Sequence, residues 1–125
     1  MRFIDSNILA YAFYNNENKG KCRDIIKEGG LIDSLCLIEA FNIIELQTGK
    51  REIAADSVKS LMGANLEIVN VDYNLVFEAL KKSGKYSKLK FLDLIHYMVA
   101  LLNNCQEIIS YDKDFNDLDI KRTEP

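Results

Sequence analysis

Four carboxylates of this chain stand where charge is expensive. Asp5 lies between Phe3-Ile4 and Ile8-Leu9, Glu39 within Leu37-Ile38-Glu39-Ala40-Phe41, Asp93 within Phe91-Leu92-Asp93-Leu94-Ile95, and Asp112 just after Ile108-Ile109-Ser110-Tyr111. An ionised carboxylate among apolar side chains needs a cation or hydrogen bonds. Singly, each has an ordinary alternative. Asp5 would cap the helix that follows it, Asp93 would suit the positive end of its own helix, and Glu39 would sit on a wet helix face. Gathered together, the four would raise one another's pKa values. A hard divalent cation removes that penalty and takes oxygen ligands. No cluster of cysteine and histidine suggests zinc, so Mg2+ or Mn2+ is the matching ion. The chemistry such a site supports is hydrolysis by an activated water.

The neighbouring polar residues divide more simply. Asp114, two residues after Asp112, is placed to cap or to sit in a turn, and Asp117 and Asp119 read as turn acids. Glu45 follows Glu39 by six positions, roughly 240° around a helix, and so points elsewhere, either solvated or partnered with Lys50 or Arg51. His96, one turn beyond Asp93, reads either as a hydrogen-bonded core histidine or as a group that reaches a ligand or phosphate.

The elements that must position these acids alternate between strand and helix. Arg2-Phe3-Ile4 is a short buried strand running into Asp5. Helices are expected over Ser6 to about Tyr14 and about Asn16 to Glu28, the second ended by Gly29-Gly30. Leu31-Ile32-Asp33 is a weak strand or an extended entry to a helix over Cys36 to Thr48, closed by Gly49, and a polar helix follows from about Glu52 to Met62. Leu66 to Val71 is rich in β-formers, and Asp72 is a good N-cap for Leu75 to Lys82. Phe91 to Asn103 is apolar nearly all round, as in a helix buried between sheet and neighbours. Ile108 to Tyr111 is a last central strand, with a short edge strand near Asp119-Ile120-Lys121. The pattern predicts an α/β fold: a three-layer α/β/α sandwich on a mainly parallel sheet. Ligands of such sheets sit at the carboxyl ends of strands, where Asp5 and Asp112 both fall.

Composition sets outer limits. A chain of 125 residues, 48% apolar and 28% charged, has room for one domain spanning 1–125. Its net charge of −3 excludes a strongly basic nucleic-acid binder but not a nuclease, whose bound metal would offset negative charge locally. Cys22, Cys36 and Cys105 form an odd set without CxxC spacing, which points to reduced thiols in a cytoplasmic setting. The amino end meets Asp5 too early for a secretory h-region, and no run approaches the roughly 18 apolar residues of a membrane span.

Four blocks together resemble the PIN domain: Phe3-Ile4-Asp5-Ser6-Asn7-Ile8-Leu9, Leu37-Ile38-Glu39, Phe91-Leu92-Asp93-Leu94-Ile95-His96, and Ile109-Ser110-Tyr111-Asp112-Lys113-Asp114-Phe115. Each block alone is a weak motif, but the four agree in order and spacing along essentially the whole chain. The resemblance implies that Asp5, Glu39, Asp93 and Asp112 meet in one pocket and hold Mg2+ or Mn2+. It also implies that Asn7 and Ser110 steady an acid or a water there, with Asp114 as a further supporting polar group. PIN domains of this size look most like the VapC-like toxin ribonucleases of bacterial and archaeal toxin–antitoxin pairs. That implies an RNA substrate, a homodimer, and a small antitoxin protein that blocks the pocket.

Two other roles fit the same fold, a housekeeping nuclease that trims precursor RNA and an interaction module without turnover. A retired site, however, has no physical reason to keep four costly carboxylates. A haloacid-dehalogenase-like phosphatase needs Asp-x-Asp after its first strand, where this chain has Asp5-Ser6-Asn7. A response-regulator receiver needs its acid after a middle strand and a lysine at the end of a later one; here Val71-Asp72 lacks that lysine partner.

Overall fold

The computed structural model describes residues 1–125. The elements run β1 (Arg2–Ile4), α1 (Ser6–Tyr11), α2 (Lys19–Glu28), β2 (Gly30–Asp33), α3 (Ser34–Thr48), α4 (Arg51–Met62), β3 (Leu66–Val69), α5 (Tyr73–Lys82), α6 (Phe91–Leu102), β4 (Glu107–Ile109) and β5 (Lys121–Thr123). Aspartates open three of the helices. Asp5, Asp33 and Asp72 accept hydrogen bonds from the backbone N–H groups of Ser6, Cys36 and Leu75 respectively, satisfying donors that a helix start leaves free. No helix is long and apolar enough to cross a membrane.

The five strands are all parallel, in the order β3-β2-β1-β4-β5. From β1 the chain steps outward to β2 and β3, then crosses back to lay β4 on the other side of β1. With right-handed crossovers, this reversal places α1 to α4 on one face of the sheet and α5 and α6 on the other. Packing agrees: α1 lies against α2 and α3, α3 against α4, and α5 against α6. The core between these layers includes Phe3, Ile4, Ile8, Leu9, Ile32, Ile44, Tyr97 and Val99, all with no exposed surface. The Tyr97 hydroxyl is buried only because it accepts a hydrogen bond, from the Ile120 N–H at 3.1 Å.

Several boundaries differ from the sequence pattern: α2 begins at Lys19 rather than about Asn16, β3 ends at Val69 rather than Val71, and β4 spans Glu107–Ile109 rather than Ile108 to Tyr111. Helix α1 ends at Tyr11 rather than near Tyr14, because the Asn16 amide donates to the Tyr11 and Tyr14 carbonyls at 2.9 and 2.7 Å and draws them into a turn. The edge strand falls at Lys121–Thr123 rather than near Asp119, since Ile120 is drawn inward as a buried residue before pairing with β4 begins.

Gly29 ends α2 with φ of 91°, and a Cβ there would lie 2.6 Å from the Asn65 amide nitrogen and 2.7 Å from the Asn65 carbonyl oxygen. Gly29→Ala is therefore expected to lower unfolding stability by about 1–3 kcal/mol. Urea denaturation measures this, and an unchanged midpoint contradicts it.

Candidate functional site

The point where the strand order reverses lies between β1 and β4, and such switch points open a crevice at the carboxyl ends of the strands. Register brings the two segments level there, with Phe3 paired to Ile108 and Ile4 to Ile109. Asp5 therefore emerges beside Ser110. The Ser110 hydroxyl donates to Asp5 Oδ2 at 2.5 Å and accepts from the Asp112 N–H at 2.9 Å. Asp5 Oδ1 accepts from the Ser6 N–H at 2.8 Å. Asp5 is only 4% exposed and Ser110 fully buried, so this one hydroxyl ties an acid at the end of the first strand to the loop carrying another.

Asp112 does not follow β4 directly; Ser110 and Tyr111 intervene, and Asp112 caps the short 3-10 turn Lys113–Phe115 by accepting from the Asp114 N–H at 2.9 Å. That tight turn changes the reading of Asp114. Its carboxylate does not merely sit in a turn, because ligand oxygens of Asp93, Asp112 and Asp114 all lie within 4.8 Å of one another. Asp93 reaches the group from the first turn of α6.

Electrostatics follow from this crowding. Burial, with the negative charges of Asp5, Asp112 and Glu39 added, pushes Asp93 up to about 6, and His96 only partly offsets them. Burial also raises Asp5, against the lowering effect of the Ser110 and Ser6 hydrogen bonds and the His96 charge. These carboxylates are under-compensated by the protein alone. The donor set consists entirely of hard oxygens, and its span suits ligands at roughly 2.0–2.6 Å around one cation. The residues thus fit a hard divalent cation. Nearby, Asn7 Oδ1 is buried without a hydrogen-bond partner in the protein.

Glu39 enters by a different route. It is 26% exposed on α3, and its Oε1 meets Nε2 of His96. The other ring nitrogen, Nδ1, lies 2.6 Å from Asp33 Oδ2. Asp33 Oδ1 in turn accepts from the Cys36 N–H at 3.0 Å. His96 is 1% exposed and Asp33 fully buried. Burial opposes charge on the imidazole, but Cys36, Asp33 and Glu39 more than offset it, and His96 lies above its ordinary pKa. Burial pushes the Cys36 thiol up to about 12, so the sulfur, 3.7 Å from Nδ1, stays protonated. Asp33, Cys36 and His96 lie close enough to hold an ion, but Asp33 and His96 already satisfy each other in a sealed interior.

His96 is therefore the hydrogen-bonded core histidine of the two sequence readings. Asp33 is the polar residue that sequence reasoning passed over. The signal was present: an acid closing an apolar strand and opening a helix, as Asp5 does. Glu45 pairs with Arg51 at 2.6 Å, turned away as its helical offset requires. The acids do not line an enclosed hollow. The largest cavity, about 450 Å³ and lined by Met1, Arg2, Gly30 and Glu107 among others, lies at the opposite, amino ends of the strands. The cluster is instead open on the side of Asp114, which is exposed.

A five-stranded parallel sheet with acids gathered at its switch point defines the class: a parallel α/β domain with an acidic cluster at the carboxyl ends of its strands. The PIN domain model matches residues 2–121, and the chain belongs to that family. No curated protein sequence matches the chain. Among solved structures it is similar to Mycobacterium tuberculosis VapC20, described as a sarcin-ricin loop cleaving toxin, at 15% identity over 100% of both chains with a TM-score of 0.84. It is also similar to a chain of a toxin–antitoxin complex from Klebsiella pneumoniae, at 19% identity over 98% of this chain and 97% of that one, with a TM-score of 0.74. Both likenesses are of fold.

Proposed function

We propose that this protein is a metal-dependent ribonuclease, the toxin half of a toxin–antitoxin pair, acting in the cytoplasm as a homodimer. The observation that carries the reading is the convergence of Asp93, Asp112 and Asp114, whose ligand oxygens lie within 4.8 Å of one another in a PIN-family chain. Burial and the neighbouring acids push Asp93 up to about 6, a crowding that a bound cation would relieve.

Asp5, Asp93 and Asp112 are the proposed ligands of Mg2+ or Mn2+, with Asp114 added by its proximity and Glu39 holding a second ion or orienting a water. When bound, the ion supplies Lewis acidity toward water and phosphate near neutral pH. The chain's own residues prepare that chemistry. Ser110 fixes the Asp5 carboxylate through a hydroxyl whose lone pair is already engaged by the Asp112 N–H. The free Asn7 Oδ1 is an acceptor for a water or an ion at the same edge. The RNA substrate is proposed from the family; a carboxylate cluster would repel a phosphodiester unless a cation lay between them.

A small antitoxin is the proposed protein partner. Between α3 and α4 lies an apolar groove of about 420 Å³, lined by Leu37, Ile38, Phe41, Val58 and Met62. Ile38 is 57% exposed and Met62 60% exposed. An apolar segment of the antitoxin would cover these side chains.

The test is cleavage of single-stranded RNA by purified protein with Mn2+ or Mg2+. Cleavage is expected with either ion, none in EDTA, and restoration on readdition. Expression without the neighbouring gene is expected to arrest growth, and co-expression of a small DNA-binding neighbour to relieve it. Cleavage undiminished in EDTA would overturn the metal mechanism.

A further inference from the structure

We propose that His96, anchored by Asp33, is a positioning residue that holds the Glu39 carboxylate at the rim of the acidic cluster; this rests on the nuclease reading of that cluster. The argument is geometric. The imidazole is 1% exposed and cannot touch RNA or a solvated ion, so any influence it has on the site passes through its neighbours. Both ring nitrogens are committed, Nδ1 to Asp33 at 2.6 Å and Nε2 to Glu39. Asp33 is itself fixed, fully buried and held at its other oxygen by the Cys36 N–H at 3.0 Å. Phe3 flanks the ring, with centroids 5.8 Å apart.

The result is a line of contacts from the backbone at the start of α3, through Asp33 and the ring of His96 on α6, back to Glu39 on α3. A free glutamate side chain has three rotatable bonds and, on an open rim, would spend most of its time in water. The His96 contact holds it instead in an orientation in which its charge bears on Asp5 and Asp93. Outer partners of metal-site side chains commonly contribute 10–100-fold in metal affinity or activity.

A purely structural staple between α3 and α6 is the competing role, and the two amide substitutions separate them. An asparagine amide nitrogen falls near the position of Nδ1 and can keep the Asp33 contact. A glutamine amide nitrogen falls near Nε2 and can keep the Glu39 contact. His96→Asn is expected to weaken Mn2+ binding, measured by calorimetry, and RNA cleavage by about 10–100-fold. His96→Gln is expected to recover most of both. In a Glu39→Gln background, His96→Asn is expected to add no further loss of Mn2+ affinity, because the two act through one contact. Crystal structures of native protein and His96→Asn are expected to show the Glu39 carboxylate turned to solvent in the variant. Full Mn2+ affinity with an unmoved Glu39 in His96→Asn overturns the proposal, as does an additive loss in the double variant. Native protein that binds no Mn2+ and cuts no RNA overturns the nuclease reading instead, while the crystallographic comparison still decides whether His96 holds Glu39.

Discussion

Asp5→Asn is expected to abolish RNA cleavage while making the protein more stable. Asparagine is as good a helix cap as aspartate, so the Ser6 N–H keeps its acceptor. The amide can also donate to the Ser110 oxygen, reversing the present 2.5 Å bond. What disappears is a carboxylate that is 4% exposed and already raised above its ordinary pKa by burial. Removing a poorly compensated buried charge should add about 1 kcal/mol or more, roughly 3–5 °C in Tm for a domain of this size. Loss of a metal ligand forfeits several kcal/mol of transition-state stabilisation, on the order of a thousandfold in rate. Opposite signs in the two measurements are the signature of a residue retained for function. A variant that loses stability and activity together would mark Asp5 as structural.

The second large effect is a pH-dependent stabilisation by metal. Asp93 titrates near 6 in the folded protein and near 4 when unfolded, so folded chains bind the proton more tightly. For an acid shifted in this direction, stability is fullest below about pH 4 and falls as pH rises through 6. Burial shifts Asp5 in the same direction. At pH 8 Asp93 is ionised among its acidic neighbours, and Mg2+ or Mn2+ should restore the lost stability. At a hundredfold excess over Kd the gain is about 2.7 kcal/mol, roughly 10 °C. At pH 5 the proton on Asp93 competes with the ion, and the shift should shrink severalfold. Thermal melts with and without Mn2+ at the two pH values check this, and comparing each pH with its own metal-free control cancels other titrating groups. Equal shifts at both pH values would detach Asp93 from the metal.

The parts legible in the sequence were those where one residue type conflicts with its surroundings. Asp5 among Phe3, Ile4, Ile8 and Leu9, and Asp93 within an apolar helix, announce themselves because charge beside apolar groups is costly. The parallel α/β order was legible for a related reason: strands buried on both faces read as short apolar runs between helices. Asp33 escaped notice because Leu31-Ile32-Asp33 is so short a run that it reads only as a weak strand or an extended entry, and the strand rests on pairing with β1 and β3, which lie far off in sequence. For Asp114 local sequence suggested only a cap or turn, and its supporting place came from the family resemblance; the 3-10 turn that sets its carboxylate beside those of Asp93 and Asp112 has no signal of its own in the sequence. The edge strand slipped by two residues because Lys121-Arg122-Thr123 carries no alternation, and its register comes from β4 alone.

The hydroxyl linking Asp5 to the Asp112 loop spans 105 residues of chain between Ser110 and Asp5. The two halves of the acidic cluster are therefore distant in the chain and meet only when β4 docks beside β1. Any affinity for a cation that depends on both halves is then tied to closure of the sheet across that junction. If the cluster works as proposed, a partly folded chain would be inactive, because no subset of its elements carries the whole site.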